Sequence, residues 1–264
     1  MFDDPRDSTR VCLVALAVCA LAWTILLLGP AKTHGLVQCP LHSAAAMPSW
    51  ASLLMLFSMN SPASMAAGWM LMLVAMMAPV LILPIRYLRV RSFTHRRVRS
   101  TALFVLGYGV PWMVAGCALL ATELLLQIVV PRSSWPAVAV LLMALVWQFS
   151  PLKQHSLNRC HAHTELAAFG AAADRDAVRF GILHGMWCAV SCWALMLFPM
   201  LLPQGHMIAM AGVTLFVACE RLEQPSQPCW RWRGVGKAVR VVLAQMRIHW
   251  HARMFKANAQ DASL

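Results

Sequence analysis

Four side chains with soft or borderline donor atoms stand at intervals of four residues in one apolar stretch: His184, Cys188, Cys192 and Met196. On an α-helix, residues i and i+4 lie one above the other on the same face. Imidazole, two thiols and a thioether therefore share one stripe, advancing about 6 Å at each step. Thiolates and thioethers select Cu(I), whereas two cysteines with two histidines satisfy tetrahedral Zn²⁺. An ionisable residue inside such a stretch points to function, and Gly185 beside His184 lets a backbone or ligand approach closely. A second donor group precedes the stripe, with Cys160, His161 and His163 placed to close a site with His184 and Cys188. Elsewhere packing is the better account, because Met and Cys fill irregular gaps in helical cores. Cys12, Cys117, Met143 and the stripe Met65, Trp69, Met72 and Met76 are read that way. No CxxC spacing occurs, so zinc-ribbon and c-type haem signatures are missing. No GxxxxGK[ST] phosphate loop occurs either, which leaves any transport driven by a gradient or a partner.

The elements that must carry these donors follow from composition. The chain has 264 residues, 60% of them hydrophobic and 12% charged, with a mean hydropathy of +0.63. Soluble domains average about 45–50% apolar and about 25% charged residues, so a soluble enzyme domain is excluded. A net charge of +12 on so apolar a chain suits a membrane surface rather than nucleic acid. The expected class is all-α, a polytopic helical membrane protein. Apolar runs at Val11–Gly29, Met65–Ile85, Ala102–Val130, Pro136–Ser150, Phe180–Leu202 and His206–Cys219 predict six transmembrane helices, given the roughly 20 residues a crossing needs. Met47–Asn60 is too short for another and reads as an interfacial or re-entrant piece. With this topology every Lys and Arg except Lys32 and Arg132 falls on one side, which the positive-inside rule makes cytoplasmic together with both termini.

The predicted organisation is a tail over 1–10, a membrane domain over 11–222 and a basic tail over 223–264, whose stretch Cys229–Lys256 suits an amphipathic helix on anionic lipid. The first span is expected to remain as an anchor rather than be cleaved as a signal peptide. Only Cys39 lies on the exported side, so no intramolecular disulfide is expected there. His34, Cys39, His42, Met47, Met55 and Met59 add donors on that side. Glu123 and Glu220 are the carboxylates at membrane depth. Glu220 is expected to snorkel or to pair with Arg221, and Glu123, which needs a partner, is a candidate proton relay.

Trp69-x-x-Met72, Ala75-Met76-Met77-x-Pro79, Gly107-Tyr108 with Trp112, Gln148-x-x-Pro151-Leu152-Lys153, Leu157 and Cys160 form one half of a pattern. Gly181-x-x-His184-Gly185, Cys188, Cys192-Trp193-Ala194-Leu195-Met196, Met207, Met210 and Glu220 complete it. Over about Ala67–Leu222 the chain resembles the bacterial family of predicted metal-binding integral membrane proteins, a family without an assigned function. The resemblance implies metal binding at Cys160, His184, Cys188 and Cys192. Ser156 and Ser191 stand where that family tends to carry further cysteines, which shifts the implied site toward mixed ligation with His155, His161 or His163. The resulting expectation is a bacterial inner-membrane protein that binds a soft transition metal for handling, transfer or insertion. Cu(I) is favoured over Zn. The donors are Cys160, His184, Cys188, Cys192 and Met196, with no catalytic residue, and an enzymatic role is disfavoured. Expected partners are the bilayer, anionic lipid at the cytoplasmic face, and a metallochaperone or membrane complex, with no nucleic acid. The alternatives are a membrane thiol oxidoreductase, or an accessory subunit of a membrane complex or solute carrier.

Overall fold

A computed structural model of the chain describes residues 5–28, 61–130 and 135–250, except positions 163, 168, 203, 233, 235, 238, 242, 248 and 249. The expected piece at Met47–Asn60, the donors His34, Cys39, His42, Met47, Met55 and Met59, and His163 lie outside the described residues. The described elements are helical, with no strand among them. They are α1 (Pro5–Leu28), α2 (Pro62–Met77), α3 (Ile82–Arg91), α4 (Arg97–Val129), α5 (Trp135–Phe149), α6 (Pro151–His161), α7 (Gly170–Met200) and α8 (His206–Arg221). A 3-10 turn over Ala78–Leu81 joins α2 to α3. The described positions within 236–250 are helical again.

Serine and proline punctuate these helices. Ser61 caps α2, its side chain accepting from the Ser64 N–H at 3.2 Å, with Pro62 in the first turn. Ser150 does the same for α6, accepting from Leu152 N–H at 3.2 Å ahead of Pro151. A residue before proline is pushed out of the helical region, and Ser150 is extended (φ −63°, ψ 135°). The helix therefore breaks there, and α5 and α6 meet at 66°. The second donor group, as far as His161, lies on the second arm of this bent pair.

Four stretches are long and apolar enough to cross a membrane: Arg6–Leu28, Ala63–Arg91, Thr94–Leu126 and Gly170–Met200. The pair α5 and α6 makes a fifth if it is one bent crossing. The sixth expected span is α8, whose 16 residues reach about 24 Å. That length needs a locally thinned bilayer to cross.

α7 is the central element, and α4 packs along it. Small residues let the two backbones touch, as in membrane helix pairs. A Cβ on Gly181 would stand 2.2 Å from the Phe104 carbonyl oxygen, and one on Gly185 would stand 2.6 Å from that of Tyr108. On the other helix, a Cβ on Gly107 would meet the Val178 oxygen at 2.5 Å. The matched pairs advance together along both chains, so α4 and α7 run parallel. α1 docks on α2 at a carbonyl that proline has freed. Pro79 has no N–H to bond Ala75 four residues earlier, and Trp23 Nε1 (3.1 Å) and Cys19 Sγ (3.2 Å) donate to that oxygen instead. Met72, Met76, Trp112, Cys188, Cys192, Met196 and Met210 are buried in the main apolar cluster.

The basic helix ends meet at one end of the bundle. Asp7 of α1 accepts from Arg89 of α3 at 2.6 Å and faces Arg97 of α4 at 3.3 Å. Asp174 of α7 bonds Arg96 and Arg99, each at 2.6 Å.

Candidate metal centre

α7 turns His184, Cys188, Cys192 and Met196 into the protein, and all four are buried, the last three completely. The local cause is the i, i+4 spacing. The stripe faces three neighbours: α4 at Tyr108, the end of α8, and the arm α6.

Arg221, on the last turn of α8, organises the centre. Its Nη2 donates to Cys188 Sγ at 3.1 Å and to Ser191 Oγ at 3.1 Å. Cys160 of α6 and Cys192 lie within electrostatic reach of the same guanidinium. The Tyr108 hydroxyl donates to Cys188 Sγ at 3.4 Å. Ser191 Oγ donates to the Cys188 carbonyl at 2.8 Å and contacts Cys192 Sγ at 3.3 Å. Three thiols from two helices thus gather about one buried cation. The described cysteines are free thiols.

Beside them lies a second buried group. Lys153 Nζ pairs with Glu220 Oε1 at 3.0 Å, and Gln148 bridges them, accepting from Lys153 and donating to Glu220. The expected pairing of Glu220 with Arg221 is therefore not the one formed. Adjacent residues on a helix point in different directions, so Glu220 turns to Lys153 and Arg221 to the thiols. A buried charge requires compensation. Glu220 compensates Lys153, which leaves the Arg221 cation facing neutral or ionisable sulfur.

The other expected donors occupy distinct places. His184 packs among Phe104, Tyr108 and Phe180, with ring centroids 6.0–6.1 Å away, and lines a cavity that Cys160 also lines. Met196 lies one turn beyond Cys192 in the apolar cluster. His161 has its ring nitrogens taken up by backbone carbonyls, Nδ1 by Leu157 at 2.8 Å and Nε2 by Arg221 at 3.1 Å. His155 packs edge-on against Trp187 and contacts Arg159. Neither of these two histidines replaces the thiols that Ser156 and Ser191 stand for. Among the described residues, no group of three or more His, Cys, Asp or Glu side chains is drawn together tightly enough to hold a metal ion. Glu123 is buried on α4 and has a partner.

Reading the residues alone misses Arg221, Tyr108 and Ser191 as members of the centre. The signal for Arg221 is faint: an arginine directly after the last apolar run, where solvent is the default expectation.

No curated protein and no solved structure matches the chain. The family model of the PpoB2 copper chaperones, however, matches residues 66–244. That range holds the three thiols, His184, Met196, Tyr108 and Arg221, and it covers more than half of the sequence, so the chain belongs to this copper chaperone family.

Proposed function

We propose that the chain is an integral protein of the bacterial inner membrane, with six spans and both termini cytoplasmic, that binds Cu(I) as cargo and passes it to a client protein or membrane complex. Cys188 and Cys192 are the ligands that hold the metal, and Cys160 beside them is an exchanging third thiol. His184 and Met196 bracket the pair along the same face as weaker donors. The observation that carries this reading is the gathering of three thiols from α6 and α7 around buried Arg221. The donor chemistry fits: soft thiolates select Cu(I), and Cu(I) is satisfied by two of them. Zn²⁺ fits less well, since a structural zinc site closes with four ligands. Family membership supports copper as the metal.

The test is elemental analysis of protein purified from membranes and loaded with Cu(I) under reducing conditions. Wild type should retain about one copper per chain, and the double variant Cys188→Ser, Cys192→Ser should retain almost none, because both soft donors are replaced by hard hydroxyls. Copper retained undiminished by the double variant refutes the ligand assignment.

A further inference from the structure

A cavity of about 180 Å³ opens between the α2–α3 junction, α6, α7 and α8, lined by Cys160, His161, His184 and Arg221 together with Phe180 and Pro84. Cys188 and Cys192 do not line it and are wholly buried. Arg221 joins the two places, lining the cavity while donating to Cys188 Sγ. It is 7% exposed, and its Nε and Nη1 find no group in hydrogen-bond geometry among the described residues. The carboxylate adjacent to it in sequence, Glu220, is committed to Lys153 at 3.0 Å. A desolvated cation whose side chain lines a cavity beside a thiol is suited to receive an anion.

We propose that this cavity receives an anionic Cu(I) bis-thiolate presented by a thiol-bearing donor, that Arg221 is its fixed counter-cation, and that Cys160 takes the metal first and relays it to Cys188 and Cys192. The inference rests on the copper reading above and deepens it by naming the form in which the cargo arrives. Each exchange balances. A Cu–S bond to Cys160 forms as one donor sulfur leaves, and the Cys160 proton leaves with it as a free donor thiol. Cys188 then displaces the second donor sulfur in the same way. Cys192 finally displaces Cys160, whose sulfur takes the Cys192 proton back. Copper stays monovalent throughout, and the complex carries a charge of −1 at every stage, matched by the +1 of Arg221. A divalent ion on the same two thiolates would be neutral and would leave the buried guanidinium uncompensated. The site is thereby selective by charge as well as by softness.

The test follows copper uptake by reduced, detergent-purified full-length protein from two donors: Cu(I) held by excess glutathione, which is an anionic thiolate complex, and tetrakis(acetonitrile)copper(I), which is cationic. Cys160→Ser should take up copper from the glutathione complex about tenfold more slowly than wild type, yet reach a similar final occupancy, since it lacks only the first acceptor. Arg221→Gln should slow uptake from the anionic donor by about tenfold or more while leaving uptake from the cationic donor unchanged or faster. Arg221→Lys, which keeps the charge but not the planar fork, should preserve the wild-type ratio between the two donors. Wild-type rates in Cys160→Ser overturn the relay. An unaltered donor ratio in Arg221→Gln, or an Arg221→Lys protein that loses its anion preference, overturns the counter-cation. Folded wild type that takes copper from neither donor refutes the copper reading itself.

Discussion

Arg221 and Glu220 are sequence neighbours with opposite charges that serve different centres, and the geometry of one helical turn is the reason. Successive residues diverge by about 100° around the axis, so the carboxylate reaches the α5–α6 elbow while the guanidinium reaches α7. The buried Lys153–Glu220 pair is accordingly fragile to one-sided change. Lys153→Met should lower the unfolding free energy by about 3–5 kcal/mol, because it strands a buried carboxylate. Adding Glu220→Gln to that variant should recover part of the loss, which thermal unfolding of the single and double variants would reveal as a non-additive pair. At this scale the sequence was partly legible. The helical spacing of His184, Cys188, Cys192 and Met196 predicts a shared buried face, and all four are buried on α7. The role of Arg221 was not legible, since nothing in a linear chain says that a terminal arginine is folded inward against sulfur.

The parallel contact of α4 with α7 sets how Tyr108 faces Cys188, and glycine is what permits it. Gly181→Ala should destabilise the protein by about 1–3 kcal/mol, the usual cost of overpacking, since its Cβ would lie 2.2 Å from a backbone carbonyl that cannot swing aside. Gly109→Ala on α4 is the matched control. Nothing lies within 4 Å of its added methyl, so it should be neutral, or stabilising by up to about 1 kcal/mol through helix propensity. Thermal melts of both variants decide the matter, and equal effects would remove close backbone approach as the explanation. The helices themselves could be read from apolar runs, and Ser150-Pro151 marks a break. Its 66° angle could not be read. Beyond the bend, α6 carries Cys160 to the thiols and Lys153 into the core.

Across the whole molecule, charge is distributed by end. The contacts of Asp7 with Arg89 and Arg97, and of Asp174 with Arg96 and Arg99, knit the starts of α1, α4 and α7 to the end of α3. Under the proposed topology this end faces the cytoplasm. Cys229, exposed beyond α8, gives a direct check of orientation. In a variant retaining it as the sole cysteine, a membrane-impermeant maleimide should label inverted vesicles and spare right-side-out ones. Labelling in the opposite orientation would reverse the proposed topology.

Composition and helical period by themselves determined a helical, strongly apolar chain with one face of soft donors, because these are properties of neighbours along the chain. Tertiary structure alone decided which charges meet. It brought Arg221 against Cys188 and within reach of Cys160, gave Glu220 to Lys153, and left a cavity beside the thiols. These contacts join residues tens of positions apart in sequence, and their partners are fixed by the α5–α6 bend and the close glycine packing of α4 on α7.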